Sequence, residues 1–180
     1  MTRYVAFLRA INLAGAHVVK MDHLRSLFEN LGLSDVQTFI NSGNVIFHSK
    51  SKPGALEKKI AARLRQTFGF EIETFIRSAD ELAAIACYKP FDDADLAPPD
   101  SVLYVGFLAE KPTAEAAHSL VSQATPVDVF HVSDREIYWL LRTKFMDSNF
   151  SGGKLEKILG MKTTLRNTTT IKKIVSKYCS

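Results

Sequence analysis

The pentapeptide Tyr-Val-Ala-Phe-Leu at positions 4–8 returns as Tyr-Val-Gly-Phe-Leu at positions 104–108, in a chain of 180 residues. An apolar stretch repeated at that distance asks for each half to be read against the other. In the first half, residues 3–11 are short, apolar and aromatic, as a strand is. Residues 12–17, with Gly15, form a loop. Asp22 caps or opens a helix with Leu24, Leu27, Phe28 and Leu31 on one face, and Gly32 stops it. Residues 36–41 and 45–48 are strands around Ser42-Gly43-Asn44, a hairpin signal. Pro53-Gly54 starts a helix carrying Leu56, Ile60, Leu64 and Phe68, which ends at Gly69. Residues 71–77 make a fourth strand, and Ser78 caps a further helix with Leu82 and Ile85.

The second half repeats the order. After Tyr104–Leu108, Pro112 and Thr113 open a helix with Ala116, Ala117, Leu120 and Val121. Residues 127–132 and 136–141 are strands around Ser133-Asp134-Arg135. A helix with Leu155, Ile158 and Leu159 ends at Gly160, a short strand covers 162–166, and Ile171, Ile174 and Val175 mark a terminal helix. Arg77-Ser78 before a capped helix is answered by Arg166-Asn167. The expected architecture is α+β: a tandem duplication of a βαββαβ (ferredoxin-like) lobe, antiparallel sheets with helices on one face, plus extra helices. The lobes are expected at 1–87 and 102–180. The segment 88–101 between them has three prolines and four aspartates, which forbid a long helix and suit an exposed linker.

In this topology the strand order is 4-1-3-2. The end of the first strand, the start of the first helix and the first hairpin turn then share one edge of the sheet, which collects Arg9, Asn12, Lys20, Ser42, Gly43 and Asn44. Such an edge has the physics of an anion site: the N–H groups and positive dipole end of a helix, a guanidinium fork, an ammonium, and glycines that admit backbone to close approach. The competing reading is turn chemistry, with Arg9 paired to Glu71.

Composition limits the partners. Hydrophobic residues make up 46% and charged residues 23%, an ordinary globular balance. The net charge of +4 permits phosphorylated metabolites or nucleic acid, but adjacent basic pairs occur only at Lys58-Lys59 and Lys172-Lys173, so no polyanion stripe is evident. Cys87, in an apolar helical run, reads as a small buried hydrophobe, and Cys179 lies at the frayed end. Neither cysteine has metal-ligand spacing, the five histidines share none, and no cofactor motif appears. Two free thiols, an arginine interrupting the N-terminal apolar run, and no apolar stretch near the ~18 residues of a membrane span point to a cytoplasmic, non-membrane protein. Ser151-Gly152-Gly153-Lys154 before a helix is a weaker phosphate-nest candidate. Phe7 and Phe47 fit core packing better than a base-stacking sheet, and Trp139 is expected in the core or between lobes.

"FLRAINLAGAHVVKMDHLRSLFENLG" followed by "VQTFINSGNVIFHS" resembles the uncharacterised family catalogued as domain of unknown function 1697. "RSADEL" at 77–82, "KPF" at 89–91 and "TTLRNTTTIKKI" near the end are also similar to it. The resemblance implies an α+β protein without an established activity, carries over no catalytic residue, and marks Arg9, Asn12, Lys20, Met21 and Ser42 to Asn44 as signature positions. The loop Asn12-Leu13-Ala14-Gly15-Ala16 departs from the family's Gly-Gly-Lys-like run, and Thr168 replaces a tryptophan. The expected function is a binding module for an anionic ligand, a phosphorylated metabolite or nucleic acid. The alternatives are a small-molecule enzyme using a cleft between lobes, or a structural, partner-binding protein. No triad, metal set or paired carboxylates supports catalysis.

Overall fold

The structure is a computed structural model and describes residues 1–180 except Ala14, Ala16 and Ser180. The first half runs β1 (Thr2–Leu8), α1 (Met21–Asn30), β2 (Ser34–Phe39), β3 (Asn44–Ser49), α2 (Pro53–Phe68), β4 (Thr74–Ser78) and α3 (Ala79–Cys87). After the short α4 (Asp93–Leu96) come β5 (Val102–Phe107), α5 (Ala114–Val121), β6 (Asp128–Ser133), β7 (Glu136–Leu141), α6 (Gly152–Leu159), β8 (Thr164–Asn167) and α7 (Thr168–Tyr178), with a 3₁₀ turn at Phe145–Asp147. Two four-stranded antiparallel sheets result, ordered β2-β3-β1-β4 and β6-β7-β5-β8, so the duplication is real and both copies have the same topology. The chain divides into two compact units, Met1–Ala86 with Lys173–Ser180, and Cys87–Lys172.

In the first unit, α1 buries Leu24, Leu27 and Phe28, and α2 buries Leu56, Ile60 and Leu64, the spacings that put one stripe against a sheet. The stripes meet Tyr4, Ala6, Leu8, Val45 and Phe47 from the central strands. Each such side chain contributes roughly 1.5–3 kcal/mol by leaving water. Gly69 ends α2 in the left-handed conformation (φ 79°), its N–H bonded to the Arg65 carbonyl. In the second unit, Leu120 of α5 and Leu155 and Leu159 of α6 pack on Ile137, Trp139 and Leu141. Trp139 belongs to this core, its indole N–H donating to Asp128 Oδ1 at 3.0 Å.

The copies agree at single residues. Leu8 N–H donates to the Gly43 carbonyl (2.8 Å), and Leu108 N–H to the Arg135 carbonyl (3.0 Å). Buried Arg77 and Arg166 lie opposite Val5 and Val105 on β4 and β8. Arg77 donates to the Ile76 carbonyl. Arg166 donates to Thr164 Oγ1 and the Leu165 carbonyl, and burial pushes its pKa down to about 10. Ser78 caps α3 through a reciprocal box, accepting from Glu81 N–H while its own N–H donates to the Glu81 carboxylate. Asn167 caps α7 by accepting from Thr170 N–H. The one difference within the repeated pentapeptide also has a cause: a Cβ on Gly106 would lie 2.9 Å from Thr163 Oγ1, which is bonded to the Phe107 carbonyl.

Some expectations need correction. Cys87 is exposed at the end of α3 rather than buried, because α3 turns Leu82 and Ile85 inward instead. The first strand ends at Leu8, and α1 takes Lys20 as its N-cap with Asp22 inside the first turn. Phe7 and Phe47 are both fully buried. Among the described residues no helix is long and apolar enough to cross a membrane.

Candidate functional site

The predicted edge exists, and the sequence explains how it is held. The loop 9–20 leaves β1, is buried at Ile11 and Val19, and is clasped at Asn12. Asn12 Nδ2 donates to the carbonyls of Val19 (3.0 Å) and Asn41 (2.9 Å), while Oδ1 accepts from Val19 N–H (2.8 Å). Both amide protons are spent, so this side chain ties the loop, the approach to α1 and the hairpin together. The ring of His17 lies 4.2 Å from that of Phe70, anchoring the loop's far side.

Ser42, Gly43 and Asn44 build the turn. Asn44 is fully buried and its Nδ2 donates to the Phe39 carbonyl and to Ser42 Oγ, both at 2.9 Å. Gly43 has φ 76°, and a Cβ there would lie 2.6 Å from Ile11 Cδ1 and 2.9 Å from Leu8 Cβ. Only glycine allows the turn to close on the end of β1. Arg9 binds through its N–H to the Glu73 carbonyl (2.9 Å) and through its guanidinium to the Glu73 carboxylate (3.5 Å). The expected partner, Glu71, pairs with Arg65 instead.

The space left at this edge is an open depression of about 500 Å³ at the start of α1. Its lining includes Asn12, Val18, Lys20, Met21, Asp22 and Asn41. Of the sequence-predicted residues, the structure brings Asn12 and Lys20 to this depression. Ser42, Gly43 and Asn44 shape its hairpin wall, and Arg9 stands on the β4 side. Lys20 is exposed and sits at the N-cap, where an ammonium cannot accept a hydrogen bond, so it leaves the first N–H groups of α1 uncapped.

Sequence reasoning missed Val18, Asp22 and Asn41 as lining residues, and also the backbone strain. Ala10, Asn12, His17 and Ile40 have φ between 49° and 55°, four of the six non-glycine residues with positive φ among those described. For the β-branched Ile40 that conformation is costly. Exposed Leu13, Val18 and Ile40 stand around the same edge. Ala14 and Ala16, which carry the departure from the Gly-Gly-Lys-like run, lie outside the described residues.

The duplication supplies an internal control. The β–α loop spans 9–20 in the first unit and only 108–113 in the second; the hairpin turn spans 40–43 against 134–135. Both elaborations fall on the same edge, in the first unit alone.

The other candidate, Ser151-Gly152-Gly153-Lys154, has a structural occupation. Ser151 is an N-cap, its hydroxyl accepting from Lys154 N–H, with Gly152 and Gly153 already helical; the Lys154 ammonium donates to the Asn149 carbonyl and lies 3.9 Å from the Phe150 ring centre. Among the described residues no group of three or more His, Cys, Asp or Glu side chains could hold a metal ion.

A family model described as "Protein of unknown function (DUF1697)" matches residues 1–138. The chain belongs to the DUF1697 family. That match takes in the whole elaborated edge of this DUF1697 protein. No curated protein matches it. Among solved structures, it is similar to the conserved bacterial protein SP0830 from Streptococcus pneumoniae, with 23% identity, 97% of each chain covered and a TM-score of 0.73. At that identity the likeness shows a shared fold.

Proposed function

We propose that the depression at the start of α1 binds a small phosphorylated metabolite and that the protein is a binding module rather than a catalyst. The observation that carries this reading is the coincidence of an exposed lysine N-cap with an open depression of about 500 Å³, a size suited to a small ligand. Lys20 and the N–H groups of α1 contact the anion. Val18 and Met21 offer apolar surface to the rest of the ligand, and Asp22 accepts from its hydroxyl or amino groups. Asn12, Ser42, Gly43 and Asn44 hold the walls, while Arg9, paired with Glu73 on the β4 side, is not part of the depression's lining. The depression favours a small molecule over nucleic acid, which asks for a longer basic track. Four strained residues gather at this edge, against Asp134 among the described residues of the second unit's shorter loops, and that excess supports a functional origin.

Calorimetric titration with inorganic phosphate, sugar phosphates and mononucleotides tests this, on the parent chain and on Lys20→Ala. Binding by an organic phosphate, weakened about tenfold in the variant with no change in melting temperature, is the expected result. Equal binding by both proteins, or none, contradicts it.

A further inference from the structure

We propose that Arg3, His48 and Asp35 form a proton-operated latch that holds the last turn of α7 on the first unit at neutral pH and loosens it on acidification. Arg3 and His48 are direct cross-strand partners on β1 and β3, so their side chains share one face of the sheet. Arg3 Nε donates to His48 Nε2 at 3.1 Å. An arginine has no acceptor, so Nε2 must carry its lone pair and the imidazole proton sits on Nδ1. Nδ1 is buried, makes no aligned hydrogen bond, and has Oδ2 of Asp35 3.1 Å away. With its Nε held by His48, the Arg3 guanidinium donates from Nη1 to the carbonyl of Tyr178, the last residue of α7. That carbonyl is one of those a helix end leaves without an intrahelical partner, at the negative end of its dipole.

A second proton on the imidazole reverses the geometry. Nε2 becomes a donor facing a donor, and two cations stand where a hydrogen bond stood. The Asp35 carboxylate holds the imidazolium in place, so the strain falls on Arg3, and its grip on Tyr178 goes with it. Imidazoles as a class make this change between pH 5 and 8. The other groups nearby do not substitute for it. The Cys179 thiol is pushed up by burial, against the pull of Arg3 and with a smaller push from Asp80, so it stays neutral through that range. Lys177 Nζ lies over the Tyr178 ring, 5.1 Å from its centre. The Tyr178 ring against Phe39 remains as the apolar part of the contact. The carbonyl is therefore expected to come free at the last turn, without loss of the helix.

Hydrogen exchange of the amides of residues 175–179 tests the latch in the full chain, at pH 7.5 and 5.5, corrected for intrinsic rates. In the parent, protection is expected to fall about tenfold at pH 5.5, the effect of one charge-assisted hydrogen bond. His48→Gln keeps an acceptor for Arg3 and cannot titrate, so its protection is expected to be equal at the two pH values. Constant protection in the parent, or an equal fall in His48→Gln, would overturn the proposal.

Discussion

At the scale of residues, two positions carry more than their size suggests. Gly43 holds a left-handed turn against Ile11 and Leu8, so Gly43→Ala adds both strain and overlap. A loss of roughly 2–3 kcal/mol in urea unfolding is expected; a loss below 0.5 kcal/mol would mean that the turn relaxes freely. Asp128 is fully buried and accepts from Trp139 Nε1, Ser148 Oγ (2.7 Å) and Thr125 Oγ1 (3.3 Å). Asp128→Ala orphans the indole N–H and is expected to cost about 3 kcal/mol. Adding Trp139→Phe to that variant is expected to cost less than the sum of the two single changes, because the orphaned donor is gone. Strict additivity in denaturant titrations would show that the pair is not coupled.

At the scale of elements, local chemistry was legible wherever one residue type serves one geometry. Ser78 and Asn167 cap α3 and α7, as their positions after a strand-end arginine suggest. Ser78→Ala and Asn167→Ala are each expected to cost about 1 kcal/mol by thermal or denaturant unfolding, and unchanged stability would remove the caps from the account. What was not legible depends on contacts distant in sequence. Arg9 faces Glu73 rather than Glu71 because β4 begins at Thr74, beyond the strand start read from the apolar run. Cys87 shares the apolar run of α3 but falls on its exposed side. Ile40 gives no sequence signal for a left-handed backbone, since β-branched residues avoid it. The edge was foreseeable from topology, whereas its lining by Val18, Asp22 and Asn41 depended on the path of the loop.

At the scale of the molecule, a duplicated lobe lets one copy serve as the reference for the other. Both copies keep the strand order, the bond from the end of the central strand to the hairpin turn, the buried arginine and the helix cap that follows it. Features common to both copies belong to the fold, and the long loop and wide turn of the first belong to something else. The account assigns that something to a ligand at the start of α1. Amide chemical shifts measured while an organic phosphate is titrated into the ¹⁵N-labelled full chain test this most directly. The account predicts saturable shifts concentrated at Val18 to His23 and Asn41, with residues 108–113 of the second unit unmoved. Shifts confined to other parts of the chain, or none at millimolar ligand, would contradict it.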